Sequence, residues 1–195
     1  MNTRAAATIA LSLALVGCDE ASVSGCLGPL CFVGSTESAC DELGHCLCPT
    51  ADTLDAAVAS TVSAVRATAR SCGTLGFNPT AGVAWNATLD LAATNHADDM
   101  RAFQFTDPTG SDGLSVTDRV AAVATPTFPY DRTLHQLVAE GKPSLDAVIN
   151  TWLDTPAACA SLMAVDVSQV GIACAGNTAV TAREPNRWSL VLGGD

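Results

Sequence analysis

Eight cysteines beyond residue 18 constrain this chain more than any other feature: Cys26, Cys31, Cys40, Cys46, Cys48, Cys72, Cys159 and Cys174. An even set in an exported chain reads as a disulfide framework. The N-terminus supplies the export signal: Arg4 precedes an apolar run over residues 5–16, too short to span a bilayer permanently and suited to a secretory signal. A metal knuckle is the other reading of "CDELGHCLC", residues 40–48 with His45. Zinc sites favour C-x-x-C spacing, and Cys46-Leu-Cys48 is one residue short of it. Disulfides are therefore the expectation, with no cofactor.

The apolar run closes on Gly17 and Cys18, and "LVGC" resembles the lipobox of bacterial lipoproteins, in which the cysteine is acylated and becomes the mature N-terminus. That resemblance implies a signal peptide over 1–18 and a membrane partner engaged through N-terminal acyl chains. The protein would then be a lipoprotein of a bacterial envelope, facing the periplasm or the exterior. Residues 19–50, rich in Cys, Gly, Ser and acidic side chains without apolar periodicity, read as a stapled or loosely ordered arm. Residues 51–195 remain for one domain, within the size that a single core supports.

The composition describes that core. Apolar residues make up 48% of the chain and aromatics only 5%, much of the apolar share being alanine and valine, so packing must be close and built from small side chains. Nine Lys and Arg against 20 Asp and Glu give a net charge of −11, with Lys142 the single lysine. A surface of that sign repels phosphate backbones, which excludes nucleic acid as the expected partner.

Periodicity assigns the elements. Leu54, Val58, Val62, Val65 and Ala69 recur at helical spacing and Asp52 can cap them, predicting a helix over 53–71. Asn86 is the expected cap of a second helix, with Leu89, Ala93, His96, Met100 and Phe103 on one face. A short helix is predicted from about Ser115 to Val123, and irregular chain follows. Ser144 caps another helix with Leu145, Val148 and Trp152 inward, which Thr155-Pro156 ends, because a residue before proline is pushed out of the helical region. Alternation in "VSQVGIAC" (Val170, Ile172, Cys174) and "RWSLVLG" (Trp188, Leu190, Leu192) predicts two late strands. Helices first and strands late give an α+β fold.

Five stretches in order, "AWNATLDLAATNHADDM", "F…TGSDG…R", "VAEGKPSLDAVINTWLDTPAACASLM", "VGIACA" and "RWSLVLG", resemble the signature of the CAP superfamily. Its SCP domains are related to cysteine-rich secretory, antigen 5 and pathogenesis-related proteins. The resemblance spans about residue 55 to the C-terminus and implies a three-layer α-β-α sandwich with a central antiparallel sheet. Many members hold a divalent ion between two histidines and two acidic residues. Here the place of the first histidine falls on Asp107 or Pro108, and that of a glutamate near Gln136. The acidic position after the tryptophan survives as Asp154, and the last histidine is replaced by Ala158. His135 would rescue one ligand if the register slips by one. Since a transition ion generally wants three or more imidazole, thiolate or carboxylate ligands, no metal is expected.

The resemblance also bears on the cysteines. The family's counterparts of Cys159 and Cys174 lie at the cleft end of the helix and on the adjacent strand, implying a bridge between them. Such a loop of about fifteen residues removes on the order of 3 kcal/mol of unfolded-chain freedom, and local closure is the easier one. Cys72 then ties the arm to the domain. The rival pairs Cys72 with Cys159 or Cys174 and leaves an arm cysteine for the other.

His96 reads as a buried neutral histidine bonded to a backbone carbonyl, because no G-x-S-x-G and no cysteine outside the disulfide set supplies a nucleophile for it to activate. The expected function is non-catalytic binding of a lipid- or sterol-like molecule or a protein outside the cell. The alternatives are a metal-dependent hydrolase using Asp154, Asp107 and His135 or His96, and a structural envelope protein assembled through its cysteine arm.

Overall fold

The structure is a computed structural model, and it describes residues 46–124, 133–176 and 185–194, with the backbone of 25–27 and 30–32. Cys18, Cys40 and the signal segment lie outside the described residues. In the arm, β1 (Gly25–Leu27) pairs antiparallel with β2 (Leu30–Phe32), which sets Cys26 opposite Cys31.

Helix α1 covers Ala51–Arg66 rather than 53–71, with Thr50 and not Asp52 at the cap position; Asp52 sits in the first turn, where its charge complements the helix dipole. The helix stops early because Arg66 is fully buried and anchored. Its guanidinium donates to the carbonyls of Ala81 (2.6 Å), Leu162 (2.7 Å), Ala164 (2.8 Å) and Val167 (3.1 Å). The chain then turns into a hairpin of β3 (Arg70–Cys72) and β4 (Leu75–Phe77), with Gly73 at a φ of 63° that glycine adopts without penalty.

The strand β5 (Ala84–Trp85) leads into α2 (Ala87–Phe103), which Asn86 caps by accepting from the amides of Thr88 and Leu89. Ser115 and Asp118 form a reciprocal capping box at the start of α3 (Val116–Val123). Strand β6 (Thr133–Glu140) follows; its alternation is broken by His135 and Gln136, and it escapes a periodicity reading. Ser144 caps α4 (Leu145–Leu153) as expected. Thr155-Pro156 follows the end of α4 as expected, and the proline is also the first residue of α5 (Pro156–Leu162), a position where its missing N–H costs nothing. Strands β7 (Gln169–Ala175) and β8 (Arg187–Gly194) match the predicted pair.

The central sheet runs β5-β7-β8-β6, antiparallel except for the two-residue parallel pairing of β5 with β7. Side chains alternate across it, so Val170, Ile172, Trp188, Leu190 and Leu192 pack with Leu54, Val58, Val148 and Trp152 of α1 and α4 on one face. Ala173, Ala175 and Val191 pack with Leu89, Ala93 and Val120 of α2 and α3 on the other. This is the three-layer sandwich that the resemblance implies, with a core rich in alanine and valine. Gly171 permits its tightest contact: a Cβ there would lie 2.1 Å from the Asp90 amide nitrogen.

The disulfides correct the expected pairing. Cys159 is joined to Cys72 and Cys174 to Cys48, with Cα separations of 5.4 and 5.5 Å. Cys159 points from α5 toward the β3–β4 hairpin, where Cys72, Cys159 and Met163 form a small buried cluster of their own. Cys174 shares the side of β7 that meets the incoming arm. Cys48, and not Cys72, therefore ties the arm to the domain, and Cys46 is also disulfide-bonded. Packing of α5 against the hairpin overrides the ease of short-loop closure. Among the described residues no helix is long and apolar enough to cross a membrane.

Candidate functional site

An open groove of about 560 Å³ runs beside β6. Five successive strand residues, Gln136 to Glu140, line one side. The α4–α5 corner lines the other through Thr151, Trp152, Thr155, Ala157, Ala158 and Ser161. Thr106 and Pro108 close one end, and Lys142 stands at the rim.

The Thr106–Pro108 loop is held by charge and burial together. The Arg187 guanidinium donates to the Phe105 carbonyl at 2.9 Å and pairs with Glu140 at 2.8 Å, and the Thr106 hydroxyl donates to the same Glu140 oxygen at 2.8 Å. His96, fully buried on α2, meets the Asp107 carbonyl through Nε2 at 2.8 Å and lies edge-on to Phe105. Nε2 must carry the proton to donate to a carbonyl, leaving Nδ1 a buried acceptor that has no partner among the described residues. Burial, then the Arg119 charge, pushes the His96 pKa below its ordinary value, and the Asp107 carbonyl works against them. His96 is therefore a neutral, carbonyl-bonded residue, as expected, and it holds α2 to this loop.

Arg119 is the groove's hidden support. From α3 it donates to the carbonyls of Leu114 and Pro108, both at 2.6 Å, and to the side-chain oxygen of Gln136. Gln136 in turn donates to the Ser189 hydroxyl at 3.1 Å. Burial lowers the Arg119 pKa, while Asp112, Asp99 and Asp118 oppose it.

Of the four residues singled out from sequence, the groove takes in Gln136 alone. Asp107 is exposed and turns its carboxylate onto the Thr109 amide at 2.7 Å, so Pro108 occupies the place in the groove. His135 lies outside the groove lining, its Nε2 4.0 Å from an Asp166 oxygen and beyond hydrogen-bond reach. Asp154 caps the end of α4, exposed, outside the lining residues. Ala158 lines the groove as a methyl group. Among the described residues no three His, Cys, Asp or Glu side chains gather as a metal centre would require. A proline, an alanine and an amide already bonded to a guanidinium do not fit a divalent ion.

Sequence reasoning missed Arg119 and Arg66. Arg66 continues the 54-58-62 stripe where an apolar residue is expected, and a charge on an apolar stripe is the signal that could have found it.

The three layers define an α-β-α sandwich with an open groove at the edge of its sheet. The chain belongs to the CAP, or cysteine-rich secretory protein, family, whose family model matches residues 74–191. Among solved structures, it is similar to an outer surface protein from Borrelia burgdorferi, with a TM-score of 0.53 and 16% identity over 70% of this chain and 89% of that one. An extracellular SCP-domain protein from Bacillus anthracis str. Ames gives a TM-score of 0.47 and 13% identity over 58% of this chain and 34% of that one. No curated protein matches the sequence.

Proposed function

We propose that this protein is an exported, acyl-anchored CAP module that binds a ligand in the β6 groove without turning it over. The observation that carries this reading is the groove's composition. The resemblance puts the family's ion-holding side chains at Asp107 or Pro108, Gln136, Asp154 and Ala158; of these Pro108, Gln136 and Ala158 line the groove, and Gln136 is committed to Arg119. What remains is a cleft lined largely by apolar and hydroxyl side chains, the chemistry of recognition rather than of proton transfer. Export is supported by the cysteine pairs joined as disulfides, which persist in oxidising compartments, and by the naming of the Borrelia burgdorferi neighbour as an outer surface protein. Cys18 is the proposed acylation site, and residues 1–18, 19–50 and 51–195 are the proposed signal, arm and domain.

Metabolic labelling with a radioactive fatty acid tests the anchor: the wild-type chain takes up label and Cys18→Ser does not. Equal labelling of both would remove the anchor from the account. Filling the groove with Ala157→Trp, at an exposed lining position, tests the binding site, because ligand binding is lost there while the thermal transition is kept.

A further inference from the structure

The groove is bounded by consecutive residues of β6, which happens only when a cavity runs along the edge of a strand rather than over its face. Strand β6 is the last of the sheet among the described residues, with β8 on one side only. In an antiparallel pair, alternate residues turn both backbone groups toward the neighbour. The Gly141 amide donates to the Asn186 carbonyl at 3.0 Å, continuing the ladder past Glu140 and Arg187, so the odd-numbered residues of β6 are the ones facing β8. Gln136, Val138 and Glu140 then direct their N–H and C=O groups into the groove. The Trp152 indole confirms the direction by donating to the Val138 carbonyl at 3.0 Å from the groove side.

We propose that the groove's ligand is an extended peptide that adds to β6 as a further strand, a proposal that rests on the groove being the binding site. Extended polypeptide presents N–H and C=O groups at the two-residue repeat of Gln136, Val138 and Glu140, and a lipid chain or sterol does not. It pairs with the backbone of Gln136 and Glu140 and with the Val138 amide, while Trp152 keeps the Val138 carbonyl. The walls suit alternating side chains: Ala157 and Ala158 leave a shallow hollow on the α5 side, and Pro108 and Thr106 face the other. The chain's net charge of −11 favours a cationic peptide over an acidic one.

The test uses the intact, disulfide-bonded protein and an acetylated, amidated hexapeptide of alternating valine and lysine, followed by amide NMR and by calorimetry. Two partners carry backbone N-methyl groups, one on each alternate set of amides. We expect binding of the parent peptide, shifts centred on Gln136, Val138 and Glu140, and at least tenfold weaker binding for one N-methylated form only. Val138→Pro, which removes a groove-facing amide and leaves the β8 ladder intact, should weaken binding comparably. Equal binding of both N-methylated forms, or no peptide binding up to millimolar concentration, overturns the peptide proposal. If oleate then binds and Ala157→Trp abolishes it, the groove reading stands without the peptide. If neither peptide nor oleate binds, both readings fall.

Discussion

The Arg119 guanidinium donates to the side-chain oxygen of Gln136, and the amide nitrogen of Gln136 passes the network on to the Ser189 hydroxyl at 3.1 Å. The pair spans α3, β6 and β8 at the wall of the groove. A largely buried cation meets a neutral amide at the point where the family resemblance leads one to expect a carboxylate. Replacing Gln136 by Glu should supply a charge-assisted partner, typically worth about 1–2 kcal/mol more than a neutral one. Chemical denaturation at pH 7 should show a higher midpoint for Gln136→Glu. A lower midpoint would mean that Arg119 is already neutralised by Asp99, Asp112 and Asp118.

His96 makes acid stability testable. Its pKa is lowered in the folded chain, so the unfolded chain binds a proton more readily. Its contribution is complete above the unfolded value of about 6.5 and is lost as pH falls below it toward the folded pKa. Unfolding midpoints measured from pH 7.5 to 5 should fall for the wild-type chain and fall less steeply for His96→Leu. Parallel slopes would assign the loss to other groups.

Asp90 works in the opposite sense. Burial first, then the charge of Asp55, raise its pKa to about 6, against the Ile172 amide, which donates to it at 3.2 Å. The stabilising contribution of its protonated form is full below the unfolded pKa of 3.8 and is lost as pH rises through about 6. Asp90→Asn keeps an acceptor for Ile172 and removes the charge. It should raise thermal stability at pH 8 and change it little at pH 4. A drop at pH 8 would show that the charged form is the stabilising one.

Peptide mapping of the unreduced protein should recover Cys72 linked to Cys159 and Cys48 linked to Cys174. In the chain-entropy model a crosslink at a separation of 87 residues is worth about 4–5 kcal/mol. Cys72→Ser with Cys159→Ser should therefore cost far more than the loss of one buried methyl group. A peptide joining Cys159 to Cys174 would contradict the geometry of α5.

Much of the fold is legible where side chains and backbone agree locally. Asn86 and Ser144 cap the helices that their positions announce, the short helix expected near Ser115 forms, and Val170, Ile172, Trp188, Leu190 and Leu192 alternate as the strands require. The misses share a tertiary origin. Arg66 ends α1 because loop carbonyls from distant segments converge on it, and no local pattern encodes that. Pro156 marks the end of α4 as sequence expects, and what sequence does not announce is that the same proline starts α5. Strand β6 hides because His135 and Gln136 interrupt its pattern, and Gln136 is held by residues from α3 and β8. That Ala158 stands where the resemblance puts a histidine is read from sequence, whereas only the structure shows that Pro108, and not Asp107, lines the groove.

The central claim is that the groove has kept the family's shape without its ion site, and zinc titration by calorimetry tests it most directly. The wild-type protein, with its disulfides intact, should show no binding in the micromolar range or tighter. Micromolar binding by the wild-type chain that is lost in Asp154→Ala would contradict the account.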